Sequence, residues 1–175
     1  MTMWVFGYGS LLWNPDFPVA RSEIATLDGY ARSFCMRSIH HRGSVADPGL
    51  VLALDALAGS HCKGLALAVE EGHEDATLAA LRERELVSSA YQEKILEVAL
   101  HSGETVPAVV YVIDPDHVQY CHLPLEEQAQ IIAKAVGGRG PNSEYLFNTT
   151  NHLDEIGLHD PDLDWLTGRV RQILS

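Results

Sequence analysis

Basic residues are scarce in this chain: 12 lysines and arginines stand against 24 acids, a formal charge of -12 over 175 residues. Repulsion of that sign opposes nucleic acid and anionic lipid surfaces, so neither is expected as a partner. No apolar run approaches the roughly 20 residues that a membrane-spanning helix needs. No positively charged segment precedes the first apolar stretch as it would in a secretion signal, and a cytoplasmic protein is expected. Cysteine is sparse and odd in number: Cys35, Cys62 and Cys121 lie far apart, which suits free thiols in a reducing compartment better than a disulfide framework. Asn148-Thr149-Thr150 matches a glycosylation acceptor, but without a secretion signal it reads as a chance match. His117, Cys121 and His122 sit near one another, yet no second cluster with zinc-finger spacing accompanies them, and no metal is expected.

What the chain does contain is enough apolar material, 46% of its residues, for one domain that buries about two-thirds of its unfolded surface. The opening run Met3-Trp4-Val5-Phe6 reads as a buried strand, and Leu27 to Met36, Gly49 to Leu57 and Cys62 to Glu70 read as further strands, the second of these following the turn signal Asp47-Pro48-Gly49. Leucines and alanines make Glu74 to Glu85 a helix, after which Ile95 to Leu100 and Val106 to Ile113 pair as strands around Ser102-Gly103. Glu126 to Val136, Glu144 to Ile156 and Asp162 to Leu174 are helical in composition, bounded by Gly137-Gly138, Pro141-Asn142 and Asp160-Pro161. Strands with one inserted helix, then helices, give an α+β class: a small, curved or closed, mostly antiparallel sheet flanked by helices, in a single domain spanning 1–175.

The strongest local signal is Gly7-Tyr8-Gly9-Ser10, which ends the first apolar run and leads into Leu11-Leu12-Trp13 and Asn14-Pro15. Two glycines one residue apart let a ligand approach the peptide N-H groups of a tight turn, as in a pocket floor; a structural turn without a ligand is the alternative. A dinucleotide fingerprint would need a third glycine where Leu12 stands and a helix opening there, against which Asn14-Pro15 argues for a turn. No Gly-Lys-Ser/Thr follows, which removes the P-loop.

Helical projection of the segment ending at Glu85 places that residue between Leu78 and Leu81 on the apolar stripe, whereas Glu83 points away. A carboxylate turned toward a core is costly unless it is paired or bound to a ligand, and desolvation there favours proton exchange near neutrality. The alternative is an acid whose head reaches back to water or pairs with Arg82. At His40-His41-Arg42-Gly43 two adjacent imidazoles face opposite sides of a strand end and make poor joint ligands. The segment reads as a solvated loop, or Arg42 supplies the positive charge that an acidic protein needs to hold a substrate carboxylate. Tyr145 reads as a core tyrosine with a satisfied hydroxyl or as a site residue. Three cysteines, Ser10 and nine histidines leave nucleophilic catalysis open on inventory, but no Gly-x-Ser-x-Gly elbow supports it.

In order along the chain, Val5-Phe6-Gly7-Tyr8-Gly9-Ser10-Leu11, His41-Arg42-Gly43, Pro48-Gly49, Arg84-Glu85 with Tyr91 after it, Asn142 and Tyr145-Leu146 resemble the ChaC family of glutathione-specific γ-glutamylcyclotransferases. The resemblance runs nearly end to end. It implies a small γ-glutamylcyclotransferase-like β-barrel flanked by helices, acting on glutathione without metal or organic cofactor; a monomer is expected. By the same resemblance Val5, Phe6, Gly7, Tyr8, Gly9 and Ser10, with Leu11 adjacent, form the turn that holds the γ-glutamyl group, and Glu85 is the proton shuttle that converts glutathione to 5-oxoproline and cysteinylglycine. Where many relatives carry glycine before the tyrosine, this chain has Ser88-Ser89-Ala90-Tyr91, and Leu67-Ala68 stands where some carry an aromatic-basic pair. A non-catalytic module binding an acidic metabolite, and a cyclotransferase acting on other γ-glutamyl amines, are the alternative readings.

Overall fold

The computed structural model describes residues 2–86 and 89–175; Val87 and Ser88, and with Ser88 part of the Ser88 to Tyr91 departure, lie outside the described residues. Along the chain run β1 (Trp4–Gly7), α1 (Ser10–Trp13), β2 (Val19–Ser38), β3 (Gly49–Val69), α2 (Glu74–Glu85), β4 (Tyr91–Leu100) and β5 (Thr105–Ile113). They are followed by α3 (Leu125–Lys134), a short pair β6 (Val136–Gly137) and β7 (Gly140–Pro141), α4 (Asn142–Glu155) and α5 (Pro161–Leu174). The first five strands close into a barrel in the order β1-β3-β2-β4-β5. β5 meets β1 in parallel, with Trp4 opposite Ala108 and Val5 opposite Val109, whereas β1 pairs with β3, β2 with β4 and β4 with β5 antiparallel. The α+β class and the mostly antiparallel sheet are therefore as the sequence pattern predicts, and of the curved and closed forms that it leaves open the sheet takes the closed one.

The segments Gly49 to Leu57 and Cys62 to Glu70, expected as two strands, are one strand of 21 residues. Gly59 takes φ +84° inside it, so the conformational freedom of glycine turns the chain locally without ending the strand. A second difference lies at Ser10, where one turn of helix opens in place of an irregular turn; it stops at Trp13 because Asn14-Pro15 cannot continue it. The helix predicted over Glu74 to Glu85 has those bounds, with Glu74 and Asp75 in its first turn and Arg82 and Arg84 in its last, the charge order that its dipole favours.

The chain divides into two compact units, one of Met1–Ser33 with Ala53–Val118 and one of Phe34–Leu52 with Gln119–Ser175. In the first, Val5, Leu11, Val69, Leu81, Val109 and Tyr111 form a buried cluster, with Leu78, Leu86 and Tyr91 packed against it. The apolar stripe of α2 thus seats on the same core that β1 and β5 supply. In the second, Ile132, Leu146, Leu153, Leu166 and Val170 are buried on α3, α4 and α5, and the Thr150 and Thr167 hydroxyls meet at 2.9 Å between α4 and α5. Asp160 caps α5 by accepting from the N-H groups of Asp162 and Leu163, with Pro161 at the first helical position. No helix among the described residues is long and apolar enough to cross a membrane.

Candidate active site

β1 carries Val5 and Phe6, both buried, to a turn whose geometry is fixed from several sides. The ladder to β3 ends where Gly7 faces Leu65. A side chain at Gly64 would place its Cβ 2.3 Å from the Gly7 carbonyl oxygen, so a larger residue there would push β3 off the turn. Tyr8 is buried; its hydroxyl donates to the Tyr111 carbonyl at 3.1 Å, and its ring lies 6.5 Å from that of Phe6. Arg32 on β2 donates through Nε to the Tyr8 carbonyl at 2.7 Å, and its Nη2 reaches the Lys63 carbonyl. Because the peptide is planar and trans, holding that carbonyl turns the Gly9 N-H to the opposite side, away from Arg32. Leu11 and Leu12 are buried behind the turn.

Glu85 closes α2 with its side chain only 14% exposed, beside an Arg84 side chain that is 15% exposed. Glu83 is exposed, as the helical projection predicts. The Arg84 guanidinium lies 3.4 Å from Glu85 through Nε, donates to the Asn14 carbonyl at 2.7 Å through Nη1, and donates to the Ser10 hydroxyl at 2.8 Å through Nη2. One side chain therefore brings the helix-borne carboxylate and the Gly-rich turn together. Next to them Tyr111 on β5 donates its hydroxyl to Glu93 on β4 at 2.9 Å, and Arg82 grips the same carboxylate with two bonds of 3.0 Å. Burial pushes the Tyr111 phenol well above its ordinary range, assisted by its bond to Glu93 and by the charges of Glu93 and Glu85. Arg82 holds Glu93 below the usual carboxylate range. Tyr111 is thus a protonated donor and Glu93 an ionised acceptor near neutrality.

The remaining candidates lie in the second unit. Arg42 is not the side chain of a solvated loop: it is 5% exposed, although His40 and His41 beside it are exposed. Its Nη1 donates to the Pro141 carbonyl at 3.1 Å and sits 3.8 Å from Glu144, and its guanidinium lies over the Tyr145 ring at 5.8 Å from the centroid. Tyr145 is buried, with its hydroxyl accepting from the Leu52 N-H at 3.2 Å and its ring edge-on to Phe34. These bonds make the two side chains parts of one packed cluster. Arg42→Ala should lower the stability of the protein by about 2 kcal/mol, the scale of a buried charge-assisted bond, measured as a lower denaturant midpoint at unchanged slope.

A family model described as ChaC-like protein matches residues 3–173. The chain belongs to the ChaC family. Among relatives in that family, the glutathione-specific gamma-glutamylcyclotransferase of Escherichia coli strain K12 is 35% identical over 174 residues, covering 99% of this chain and 74% of that protein. Gamma-glutamylcyclotransferase 2-3 of Arabidopsis thaliana is 38% identical over 186 residues, covering 100% of this chain and 92% of that one. A crystal structure of a yeast gamma-glutamyl cyclotransferase specific to glutathione matches with a TM-score of 0.87 over 98% of this chain and 96% of that chain, at 23% identity. At that identity the likeness speaks to the fold alone.

Arg32, Tyr111 and Glu93 stand at or beside the turn and the carboxylate without being singled out by sequence reasoning, and Arg84 enters it only as half of the Arg84-Glu85 motif, with no role of its own. Arg32 and Arg84 look like ordinary surface cations in the sequence, since their partners are carbonyls and a hydroxyl far along the chain. Tyr111 and Glu93 carried a usable signal. They stand opposite each other in the β4–β5 ladder, whose register is centred on Ser102, and counting outward from Ser102 in both directions pairs them.

Proposed function

We propose that this ChaC-family chain is a γ-glutamylcyclotransferase that cyclises the γ-glutamyl group of glutathione to 5-oxoproline and releases cysteinylglycine, with Glu85 moving the protons and the Val5 to Leu11 turn holding the substrate. The observation that carries the reading is the Arg84 guanidinium, which lies 3.4 Å from the Glu85 carboxylate and 2.8 Å from the Ser10 hydroxyl. It seats a general acid-base next to a turn rich in backbone donors. The names of the relatives at 35% and 38% identity supply the substrate class.

In a γ-glutamyl amide the nucleophile belongs to the substrate: the α-amine reaches the side-chain carbonyl and closes a five-membered lactam. The new C-N bond forms as the bond to the cysteinyl nitrogen breaks, and no water is consumed. Holding the substrate in the folded rotamer supplies orientation of the kind that gives effective molarities of about 10⁵–10⁸ M in intramolecular reactions. Glu85 takes the proton that the ammonium must lose and returns one to the departing nitrogen, assistance worth typically about 10²- to 10⁴-fold. Donors from Gly7 to Ser10 meet the substrate carboxylate and the oxygen that gathers charge during ring closure. An ordinary α-peptide fails because its amine does not sit at the distance that closes this ring.

An enzyme thiol has no place in this scheme. Cys35, Cys62 and Cys121 are all buried, and burial pushes the Cys121 thiol up, away from the thiolate that a nucleophile requires. Proton transfer and acyl migration need no Lewis acid, so turnover should survive exhaustive chelation; loss of activity restored by one divalent ion would refute the scheme. Reduced glutathione should be cyclised faster than γ-glutamyl amino acids, scored as 5-oxoproline. Equal or faster turnover of γ-glutamyl-alanine would overturn the glutathione assignment and leave the cyclotransferase chemistry in place.

A further inference from the structure

We infer that Arg84 is a positioning residue that acts through Ser10: by donating to the Ser10 hydroxyl oxygen it turns the hydroxyl's own hydrogen outward, as a donor to an acceptor oxygen of the substrate. This rests on the cyclotransferase reading and gives one atom of the turn a defined task.

A guanidinium is a donor only, whereas a serine hydroxyl has one hydrogen to give and two lone pairs to receive with. In the contact at 2.8 Å from Arg84 Nη2 the Ser10 oxygen must therefore be the acceptor. Among the described residues no acceptor takes the Ser10 hydrogen in return. Ser10 is only partly buried, so that hydrogen is available to a group arriving at the turn. Donation from a cation polarises the hydroxyl and makes it a stronger donor in its own right.

The guanidinium cannot swing away, because its other arms are occupied. Nη1 donates to the Asn14 carbonyl at 2.7 Å, and Nε lies 3.4 Å from Glu85. These contacts fix the plane of the group, so the direction of the Nη2 bond to Ser10 is fixed with it. An ammonium offers no such planar fork. The hydroxyl so arranged selects an oxygen acceptor, such as a carboxylate or an amide carbonyl, and disfavours an ammonium at that place.

The test is a double-mutant cycle on kcat/KM for glutathione with Arg84→Gln, Ser10→Ala and the double variant, with melting temperatures measured alongside. Each single variant should lose at least about 10-fold, the scale of a charge-assisted hydrogen bond, and the two losses should divide in the same way between KM and kcat. On the Ser10→Ala background Arg84→Gln should cost at least about 5-fold less than it does in the unaltered protein, since its bond to Ser10 is already gone, and the residual loss reports its contact with Glu85. Losses that multiply in full, or that divide differently between KM and kcat, would show that Arg84 acts by some other route and would overturn the inference. Should Arg84→Gln melt below the assay temperature, Arg84→Lys, which keeps the charge and loses the fork, takes its place in the same cycle under the same criteria. If the unaltered protein forms no 5-oxoproline from any γ-glutamyl compound, the cyclotransferase reading fails and this inference with it; 5-oxoproline formation with fully multiplicative losses removes the Arg84 inference alone.

Discussion

Glu85→Gln should give a folded protein that still binds glutathione and turns it over at least about 10²-fold more slowly, the lower end for a lost general base. Glutamine keeps the size of the side chain and can still meet the Arg84 guanidinium through its amide oxygen, so the change removes the exchangeable proton and the charge with little change in packing. Glu83→Gln is the internal control. Glu83 lies two residues away on the exposed side of the same helix, so its replacement alters the charge of the protein by the same amount without touching the partly buried carboxylate. Initial rates of 5-oxoproline formation at saturating glutathione, with substrate binding measured by calorimetry, separate loss of chemistry from loss of affinity. Near-normal turnover in the Glu85 variant, or an equal collapse in the Glu83 variant, would mean that the wrong carboxylate has been assigned.

The second large effect concerns stability and arises in the other unit. Asn142 is fully buried at the start of α4, where its Oδ1 accepts from the Leu50 N-H at 2.8 Å and its Nδ2 donates to the Leu50 carbonyl at 2.7 Å. The amide thus pairs with one residue of β3 as a neighbouring strand would, satisfying two buried backbone groups at once. Asn142→Ala strands both groups away from water at about 1–3 kcal/mol each, and a total near 4 kcal/mol corresponds to a melting temperature lower by about 10 °C for a chain of this size. Asn142→Asp should be no remedy, because a carboxylate can accept from the N-H but sets an unpaired oxygen against the Leu50 carbonyl. A variant that melts within two or three degrees of the parent would show that water or a shifted backbone replaces these bonds.

The features legible in the sequence were those set by neighbours a few residues away. The inward phase of Glu85 follows from leucines at Leu78 and Leu81 on one helical stripe, and the end of the first strand follows from two glycines. The single long β3 was not legible, because Gly59 with positive φ and a turn glycine look alike in sequence; only pairing with neighbouring strands decides between a bend within a strand and a break between two. Of the two sequence readings of Arg42, the solvated loop fails for a related reason. The atoms that bury it, the Pro141 carbonyl and the Tyr145 ring, come from about a hundred positions later, and a charged residue directly after two exposed histidines gives no hint of them. Arg84 is the sharpest case: the Arg-Glu pair is recognisable in the sequence, yet its bond to Ser10 spans 74 positions and becomes visible only once the barrel has placed α2 beside the turn.

The central claim is that the substrate's own amine displaces cysteinylglycine, and the fate of solvent oxygen tests it most directly. Incubated with glutathione in water enriched in oxygen-18, the protein should release 5-oxoproline and cysteinylglycine in equal amounts, with neither carrying the heavy isotope, since ring closure consumes no water. Glutamate bearing solvent oxygen would show that water and not the α-amine attacks the γ-carbonyl, and would contradict the account.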